Sequence, residues 1–282
     1  MKVLKLFLVL VMLWMTSGNA QAQYRYGYFR IGGSVGSTHY LGDLDNDFTV
    51  QFTKPGFELS GSYRLNPLMT ARVSFYKGYA RAADSISGNE ARNRRNLSFR
   101  TPITEASAQL VFDFLPTDRS YVYRPVYTPY VFGGVALFNF NPQAQLNGQW
   151  YDLQPLGTEG QYLPSPDDRY PEPYALTQFS IPMGAGVRMA ISRKLDLEIE
   201  TGFRKTFTDY LDDVSGRYPD LEALRAQNPI SAILSDRIDR TQFPQGGAIV
   251  NGIRGDRTQQ DWYIYTCVRL NYIVDWVKCP KF

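Results

Sequence analysis

The sequence lacks any apolar run long enough for a membrane-spanning helix. Its longest such run, Leu6 to Met15, has ten residues, whereas a helix needs about 20 to cross a bilayer. A strong charge of one sign is also missing. The formal net charge is +3 and falls to about +1 without Lys2 and Lys5, so nothing indicates a nucleic-acid partner. Membrane helices and nucleic-acid binding are therefore excluded, and we predict no cofactor.

The first 22 residues are predicted to be a signal peptide. Lys2 and Lys5 precede the apolar run, and Ala20-Gln21-Ala22 provides the small residues that a signal peptidase reads. The mature chain, residues 23–282, is expected to be one domain, because no linker or shift in composition divides it. Export permits a disulfide between Cys267 and Cys279, and two free thiols are the other outcome.

Eight runs of the chain alternate apolar and polar residues with a period of two. In the run from Gly56 to Leu65, Phe57 and Leu59 fall on one face, and Glu58 falls on the other. Successive side chains of a strand point to opposite faces, so each run is predicted to be a strand between an apolar and a polar environment. The predicted strands are Tyr28–Thr38, Gly56–Leu65, Met69–Tyr76, Thr104–Phe114, Thr128–Phe140, Gln178–Ala190, Leu195–Arg204 and Trp262–Ile273.

The predicted connections alternate between long and short. Outer-membrane barrels have this parity, with long loops at the cell surface and short turns in the periplasm. Aromatic residues make up 15% of the chain, including 20 tyrosines, and tyrosine suits the two interfaces of a membrane. We therefore predict an all-β fold, an eight-stranded antiparallel transmembrane barrel of the outer membrane. Both termini would lie in the periplasm and outer-membrane lipid would surround the wall.

The polar face of the predicted strands collects six arginines and six acids. An eight-stranded barrel has room only for its side chains, and buried charges need partners. We therefore expect the two signs to pair across the lumen and to leave no aqueous channel. The twelve residues are Arg30, Glu58, Arg64, Arg72, Glu105, Asp113, Arg188, Asp196, Glu198, Glu200, Arg204 and Arg269.

His39, the single histidine, falls at the outer end of the first predicted strand. A rim histidine with Ser34, Ser37 and Asp43 would suit a lipid-modifying enzyme, an acyl hydrolase or transferase. Sequence spacing does not establish such geometry. We therefore predict that the chain is not an enzyme, that His39 is an exposed loop residue, and that the chain has no catalytic, cofactor-binding or metal site.

Two acidic stretches and one basic run lie in the predicted outer loops. Asp43–Asp47 and Tyr210–Asp213 could meet at the rim and bind a cation, or pair with basic side chains, for which the candidates are Lys205, Arg254 and Arg257. The basic run could contact lipopolysaccharide, or it could be a solvated loop tip, which we favour; its residues are Arg92, Arg94 and Arg95.

Three loop stretches and the tail resemble one family, the PorG-type outer-membrane barrels. They are Tyr40–Leu44, Gly148–Gln161, Phe203–Ser215 and Lys278–Phe282. The motif positions are Tyr40, Leu41, Gly42, Asp43, Trp150, Leu156, Gly157, Thr158, Glu159, Gly160, Tyr210, Asp212 and Asp213. The resemblance implies a part in the type IX secretion machinery, beside a periplasmic ring built from a lipoprotein and its partner.

The predicted function is therefore a non-enzymatic membrane anchor or scaffold that contacts the periplasmic ring. The ring would meet the short turns near Asn66, Leu115–Tyr127 and Ser192, and the tail from Asp275. The alternatives are the lipid-modifying enzyme and a soluble exported barrel that binds a ligand. The soluble barrel requires the apolar face to point inward.

Overall fold

The computed structural model describes residues 27–45, 49–117, 120–164, 170–242 and 252–274. The strands in these ranges are β1 (Phe29–Leu41), β2 (Lys54–Arg64), β3 (Met69–Ala83), β4 (Ser98–Asp113), β5 (Tyr127–Phe140), β6 (Gln143–Leu146), β7 (Gln149–Asp152), β8 (Thr177–Ala190), β9 (Leu195–Thr206) and β10 (Trp262–Val274). The α-helices are α1 (Glu90–Arg95), α2 (Leu221–Gln227) and α3 (Pro229–Ser235). The predicted signal peptide and the tail from Asp275 lie outside the described residues.

Eight strands close into one antiparallel barrel. Each pairs with its neighbours along the chain, β5 pairs with β8, and β10 returns to β1. The closing register runs without a break from Phe29 opposite Val274 to Leu41 opposite Trp262. Closure therefore pairs the first strand with the last over the full length of both. The predicted eight-stranded antiparallel barrel, with its long connections at one end, is confirmed.

The two faces of the wall differ in polarity. On β3, Val73 and Phe75 point outward and are 61% and 52% exposed, whereas Arg72 and Ser74 point inward and are buried. The same alternation holds along β2, where Leu59 is exposed beside a buried glutamate. The soluble ligand-binding alternative needed the opposite orientation, and the wall contradicts it. No helix in the described ranges is long and apolar enough to cross a membrane.

The end of the barrel that carries the long connections, called the outer end from here on, differs from the sequence prediction. The β3–β4 hairpin extends to Ala83 opposite Ser98, beyond the predicted strand ends. β6 and β7 form a small hairpin within a predicted loop, and a pairing of Arg100 with Gln143 joins it to β4. α1 was not predicted. Pro229 begins α3 and separates it from α2, because a proline fits the first turn of a helix but not its interior.

An aromatic layer fills the outer half of the barrel interior, which the alternation did not predict. Its inward-pointing rings are 1% exposed or less and belong to Tyr76, Phe138, Phe140, Tyr263 and Tyr265. β5 is apolar on both faces, so the sequence did not orient it. Two members of the layer connect it to its surroundings. The Tyr263 hydroxyl donates to Glu105 in the charged lumen, and the Phe140 ring stacks on Tyr174 of the long third outer loop.

Candidate functional site: a sealed lumen and an outer cap

Arg269 on β10 is the centre of the charged lumen. Its Nη1 lies 3.0 Å from Glu198 and 2.9 Å from Glu200, and its Nη2 lies 2.6 Å from Glu58. The register explains part of this arrangement, because Arg269 stands directly opposite Glu198 on the neighbouring strand. One guanidinium therefore donates to three carboxylates on two different strands.

The other five lumen arginines each contact at least one carboxylate. The contacts are Arg30 with Asp196 (3.6 Å) and Glu198 (3.7 Å), Arg64 with Asp113, Arg72 with Glu200 (2.6 Å), Arg188 with Asp113 (2.8 Å) and Glu198 (2.6 Å), and Arg204 with Glu58 (3.6 Å) and Glu105 (3.5 Å). All twelve residues are 5% exposed or less. A water-filled pore would expose them, so the side chains seal the lumen.

Arg124, in the turn between β4 and β5, closes the short-turn end of the lumen. Its Nε donates to Asp196 at 2.8 Å, and its two Nη atoms donate to backbone oxygens of Tyr121, Ser192, Arg193 and Leu195. Those oxygens belong to two different turns, so this side chain ties the turns together. This role was not predictable from the alternation, because Arg124 lies outside the alternating runs.

The opposite end of the barrel is covered by buried residues of the outer loops together with Tyr40 at the end of β1. We call this region the outer cap, and Tyr40 lies at its centre. The Tyr40 hydroxyl lies 2.6 Å from Oδ2 of Asp212 and 2.8 Å from Oδ1 of Asp261. All three residues are buried. A phenol carries a single hydrogen and can donate to one carboxylate at a time. The two carboxyl groups therefore share one hydroxyl donor.

A second part of the cap joins the third and fourth outer loops. Asp213 accepts from the hydroxyls of Thr158 and Tyr174 and lies 3.7 Å from Nη2 of Arg254. Glu159 accepts from the backbone N–H groups of residues 215 and 216 and from Arg254 at 3.0 Å. The stretch Gly148–Gln161, which contains Thr158 and Glu159, thus holds the third outer loop on the fourth.

Two motif glycines make this contact between the loops possible. Gly157 and Gly160 have φ values of +60° and +84°, which glycine adopts without strain. The segment between them directs Thr158 and Glu159 into the cap, where both are fully buried. A β-carbon at Gly160 would lie 2.8 Å from the Tyr170 ring.

The cap shifts the proton affinities of its carboxyl groups. Burial, and then the negative charge of Asp261, raise the pKa of Asp212 well above its usual range. Burial also raises the pKa of Asp261 to about 8, of Asp213 to about 6 and of Asp209 to about 9. Because burial penalises the ionised form, the cap holds carboxyl protons at neutral pH.

The other motif residues also lie in or beside the cap. Asp43 accepts from the backbone N–H of Asp256 at 3.0 Å, and the Tyr210 ring stacks on Tyr174 at 4.5 Å. Trp150 packs under the Arg100 guanidinium, 3.6 Å from its ring centre. Leu41 and Gly42 line a shallow hollow at the rim, and Leu156 accepts through its carbonyl oxygen from the Ser231 hydroxyl.

His39 is 3% exposed, so the expectation of an exposed loop residue is wrong. Its Nε2 lies 3.5 Å from Asp45 and its Nδ1 lies 3.4 Å from the Thr53 hydroxyl. The first outer loop folds over the ring and buries it. Ser34, one of the serines considered as a nucleophile, lies 3.1 Å from the Tyr265 hydroxyl in the barrel interior.

The prediction that the acidic stretches pair with basic side chains is confirmed for one of the three candidates. Of the three cations proposed for the acids, Arg254 pairs with Asp213, while the Lys205 ammonium lies over the Trp262 ring. Among the described residues, no group of three or more His, Cys, Asp or Glu side chains is arranged to hold a metal ion. Asp47 lies outside the described residues.

Arg95 is an anchor rather than part of a solvated loop tip. It donates to both carboxylate oxygens of Asp84, at 2.7 and 2.8 Å, and its Nη2 donates to the Asp43 backbone oxygen. The reason is α1, whose end turns this side chain toward the cap. Cys267 is a buried free thiol of β10, and Cys279 lies outside the described residues.

A closed barrel with apolar side chains outside and paired charges inside has the architecture of outer-membrane β-barrels, and the fold is of that class. Within that class, the sequence profile of the family described as "Domain of unknown function (DUF6089)" matches residues 4–155, more than half of the chain. The chain belongs to this family.

Three bacterial proteins are among the solved structures with a similar barrel. Neisserial surface protein A is 9% identical, with a TM-score of 0.42 over 86% of this chain and 96% of that one. Ail of Yersinia pestis is 9% identical, with a TM-score of 0.40 over 88% and 99%. OprG of Pseudomonas aeruginosa is 8% identical, with a TM-score of 0.39 over 88% and 96%. A comparison with curated proteins finds no match.

Proposed function

We propose that the chain is a non-enzymatic outer-membrane barrel that acts as a membrane anchor or scaffold of the type IX protein secretion machinery and contacts its periplasmic ring. The observation that carries the proposal is the combination of an apolar outer wall with a sealed lumen. The wall suits a barrel embedded in lipid, and the lumen does not suit a diffusion pore.

The outward apolar side chains support the membrane location. Exposed phenylalanines occur on neighbouring strands around the wall, among them Phe57, Phe75, Phe179 and Phe203. Soluble monomers rarely expose apolar patches larger than a few hundred Å², and lipid tails would cover these rings. The long connections would then face the cell surface and the termini the periplasm, as in other outer-membrane barrels.

The sealed lumen and the rigid ends support a scaffold role. Arg124 fixes two short turns against each other, and beside it Tyr123 and Tyr127 are 77% and 60% exposed. A fixed surface with exposed aromatic rings suits a protein partner, because such rings contribute strongly to interfaces. On this proposal the periplasmic ring contacts these turns and the tail from Asp275.

Co-purification of ring proteins from detergent-solubilised envelopes tests the proposal. Three variants are compared with the unmodified chain: deletion of 275–282, the double substitution Val122→Ser and Tyr123→Ser, and both changes together. Arg240→Ser, in the fourth outer loop, is the control. We expect recovery of the ring lipoprotein and its partner to fall several-fold in the combined variant and to be unchanged in the control. Full recovery in the combined variant would overturn the contact with the ring.

A further inference from the structure

The charged residues of the barrel wall are divided by sign between its two faces. All six carboxylates of the eight barrel strands point into the lumen. Four charged residues of these strands alternate outward, and all are cations: Lys77, Arg81, Arg100 and Lys205. Within these strands, no acidic side chain faces outward.

The outward cations lie at the outer end of the wall, just beyond the apolar belt. Along β3 the outward positions run from Val73 and Phe75 to Lys77, Tyr79 and Arg81. At about 3.3 Å per residue, Arg81 lies about 13 Å beyond Lys77. This is the level at which the headgroups of an outer leaflet would begin if the apolar belt lies in lipid.

Arg81 and Arg100 stand directly opposite each other in the β3–β4 register. Like charges in directly opposed positions destabilise a sheet. Arg100 cannot easily turn away, because its Nε donates to Gln143 at 2.9 Å and its guanidinium lies on the Trp150 ring. Neither Lys77 nor Arg81 has an ion pair among the described residues.

Two carboxylates near this hairpin already have other partners. Asp152 of β7 accepts from the amide groups of Asn141 and Gln143, at 3.0 and 2.7 Å. Asp84, which follows β3, accepts hydrogen bonds from Nε and Nη2 of Arg95. Two opposed guanidinium groups without a carboxylate between them fit a phosphate, which both can bind through paired N–H donors.

We propose that the outer flank of the β3–β4 hairpin, formed by Lys77, Arg81 and Arg100, binds the phosphate-bearing headgroup of an anionic glycolipid in the outer leaflet. Arg81 and Arg100 bind one phosphate between them, and Lys77 contacts a second anionic group nearer the apolar belt. The inference rests on the proposed membrane location, because only insertion brings this flank to the headgroups.

The test uses the full mature chain refolded in detergent and measures its binding to purified lipopolysaccharide. The variant is Lys77→Ser with Arg81→Ser. Its charge-matched control is Arg193→Ser with Arg225→Ser, two exposed residues away from the hairpin. A shift in gel mobility between heated and unheated samples verifies folding of each protein. We expect the variant to bind at least about tenfold more weakly and the control to bind as the unmodified chain does.

Further arms separate the sources of phosphate. Phosphatidylglycerol vesicles test whether any anionic lipid suffices, and inorganic phosphate tests for a simple anion site. Equal affinity for phosphatidylglycerol, full competition by millimolar phosphate, or equal weakening in variant and control would each overturn the inference. Insertion into lipid vesicles is measured separately. A chain that inserts into vesicles but does not prefer lipopolysaccharide to phosphatidylglycerol refutes this inference alone. A chain that does not insert refutes the proposed membrane location.

Discussion

The lumen and the outer cap both bury carboxyl groups, but they compensate for burial in different ways. In the lumen, Glu200 lies within 3 Å of the guanidinium groups of Arg72 and Arg269. In the cap, Asp212 and Asp261 share the hydroxyl of Tyr40. The first arrangement stabilises carboxylates by opposite charge. In the second arrangement, burial raises the pKa values of the carboxyl groups, so they keep protons and repel each other less.

This difference follows from the elements that carry the residues. Strand register places Arg188 and Arg269 opposite Glu198 from both sides, so the wall itself brings opposite charges together. The cap is built mainly from loops, and Tyr40 at the end of β1 meets a loop carboxylate 221 positions away in the chain. We therefore expect the lumen to respond strongly to loss of a charge, and the cap to respond to loss of a hydrogen bond and to pH.

The largest effect is expected for Arg269→Met. The substitution keeps much of the side-chain volume but leaves Glu58, Glu198 and Glu200 without one of their cations. Removal of one partner from a buried ion network typically costs about 3–5 kcal/mol. We expect the free energy of unfolding to fall by about this amount in urea titrations of the barrel in lipid vesicles, followed by tryptophan fluorescence.

Arg193→Met, in the exposed turn between β8 and β9, is the control for this measurement. It removes the same charge from a residue outside the lumen network, so the free energy of unfolding should change little. If both variants lost the same small amount of stability, the lumen network would not be the stabilising element described here.

The difference between the two regions also explains what could be predicted from the sequence. The lumen residues were predictable because strand alternation assigns each side chain to a face, and a closed barrel then brings the faces together. The cap was not, because the partners of Tyr40 depend on how the long loop between β9 and β10 folds. The inward rings of β5, such as Phe138, were missed because both faces of that strand are apolar. His39 was misjudged because the burial comes from the first outer loop.

Tyr40→Phe is expected to loosen the cap without affecting the lumen. It removes the hydroxyl contacts with Asp212 and Asp261 while the ring keeps its place against Phe99. Loss of a donor from buried acceptors typically costs about 1–3 kcal/mol. Hydrogen exchange at residues 209–216 should therefore accelerate. Tyr123→Phe is the matched control, because that ring is 77% exposed. Unchanged exchange in both variants would contradict the central role given to Tyr40.

The cap should become less stable as pH rises. The raised pKa values, about 8 for Asp261 and about 6 for Asp213, exceed those of the opened loops, which lie near 4. Between about pH 4 and pH 8 the closed cap therefore binds more protons than the opened loops, and its stability falls until the folded groups are ionised. Protease cleavage in residues 207–261 should be at least about tenfold faster at pH 9 than at pH 5.

Asp261→Asn separates this effect from the pH dependence of the protease. The amide does not ionise, so the slope of cleavage rate against pH should flatten, and an unstructured peptide substrate corrects for the enzyme. A variant with the same slope as the unmodified chain would mean that other groups control opening of the cap.

The smallest effect is expected for Arg240→Ala, which provides a baseline outside both regions. The Arg240 guanidinium lies 2.6 Å from Asp236, but its side chain is 55% exposed. Exposed ion pairs typically contribute about 0.2–1 kcal/mol and weaken with salt. The free energy of unfolding should therefore change by less than about 1 kcal/mol, and raising the salt concentration should abolish the change. A salt-independent loss as large as that of Arg269→Met would show that burial does not distinguish the lumen from the surface.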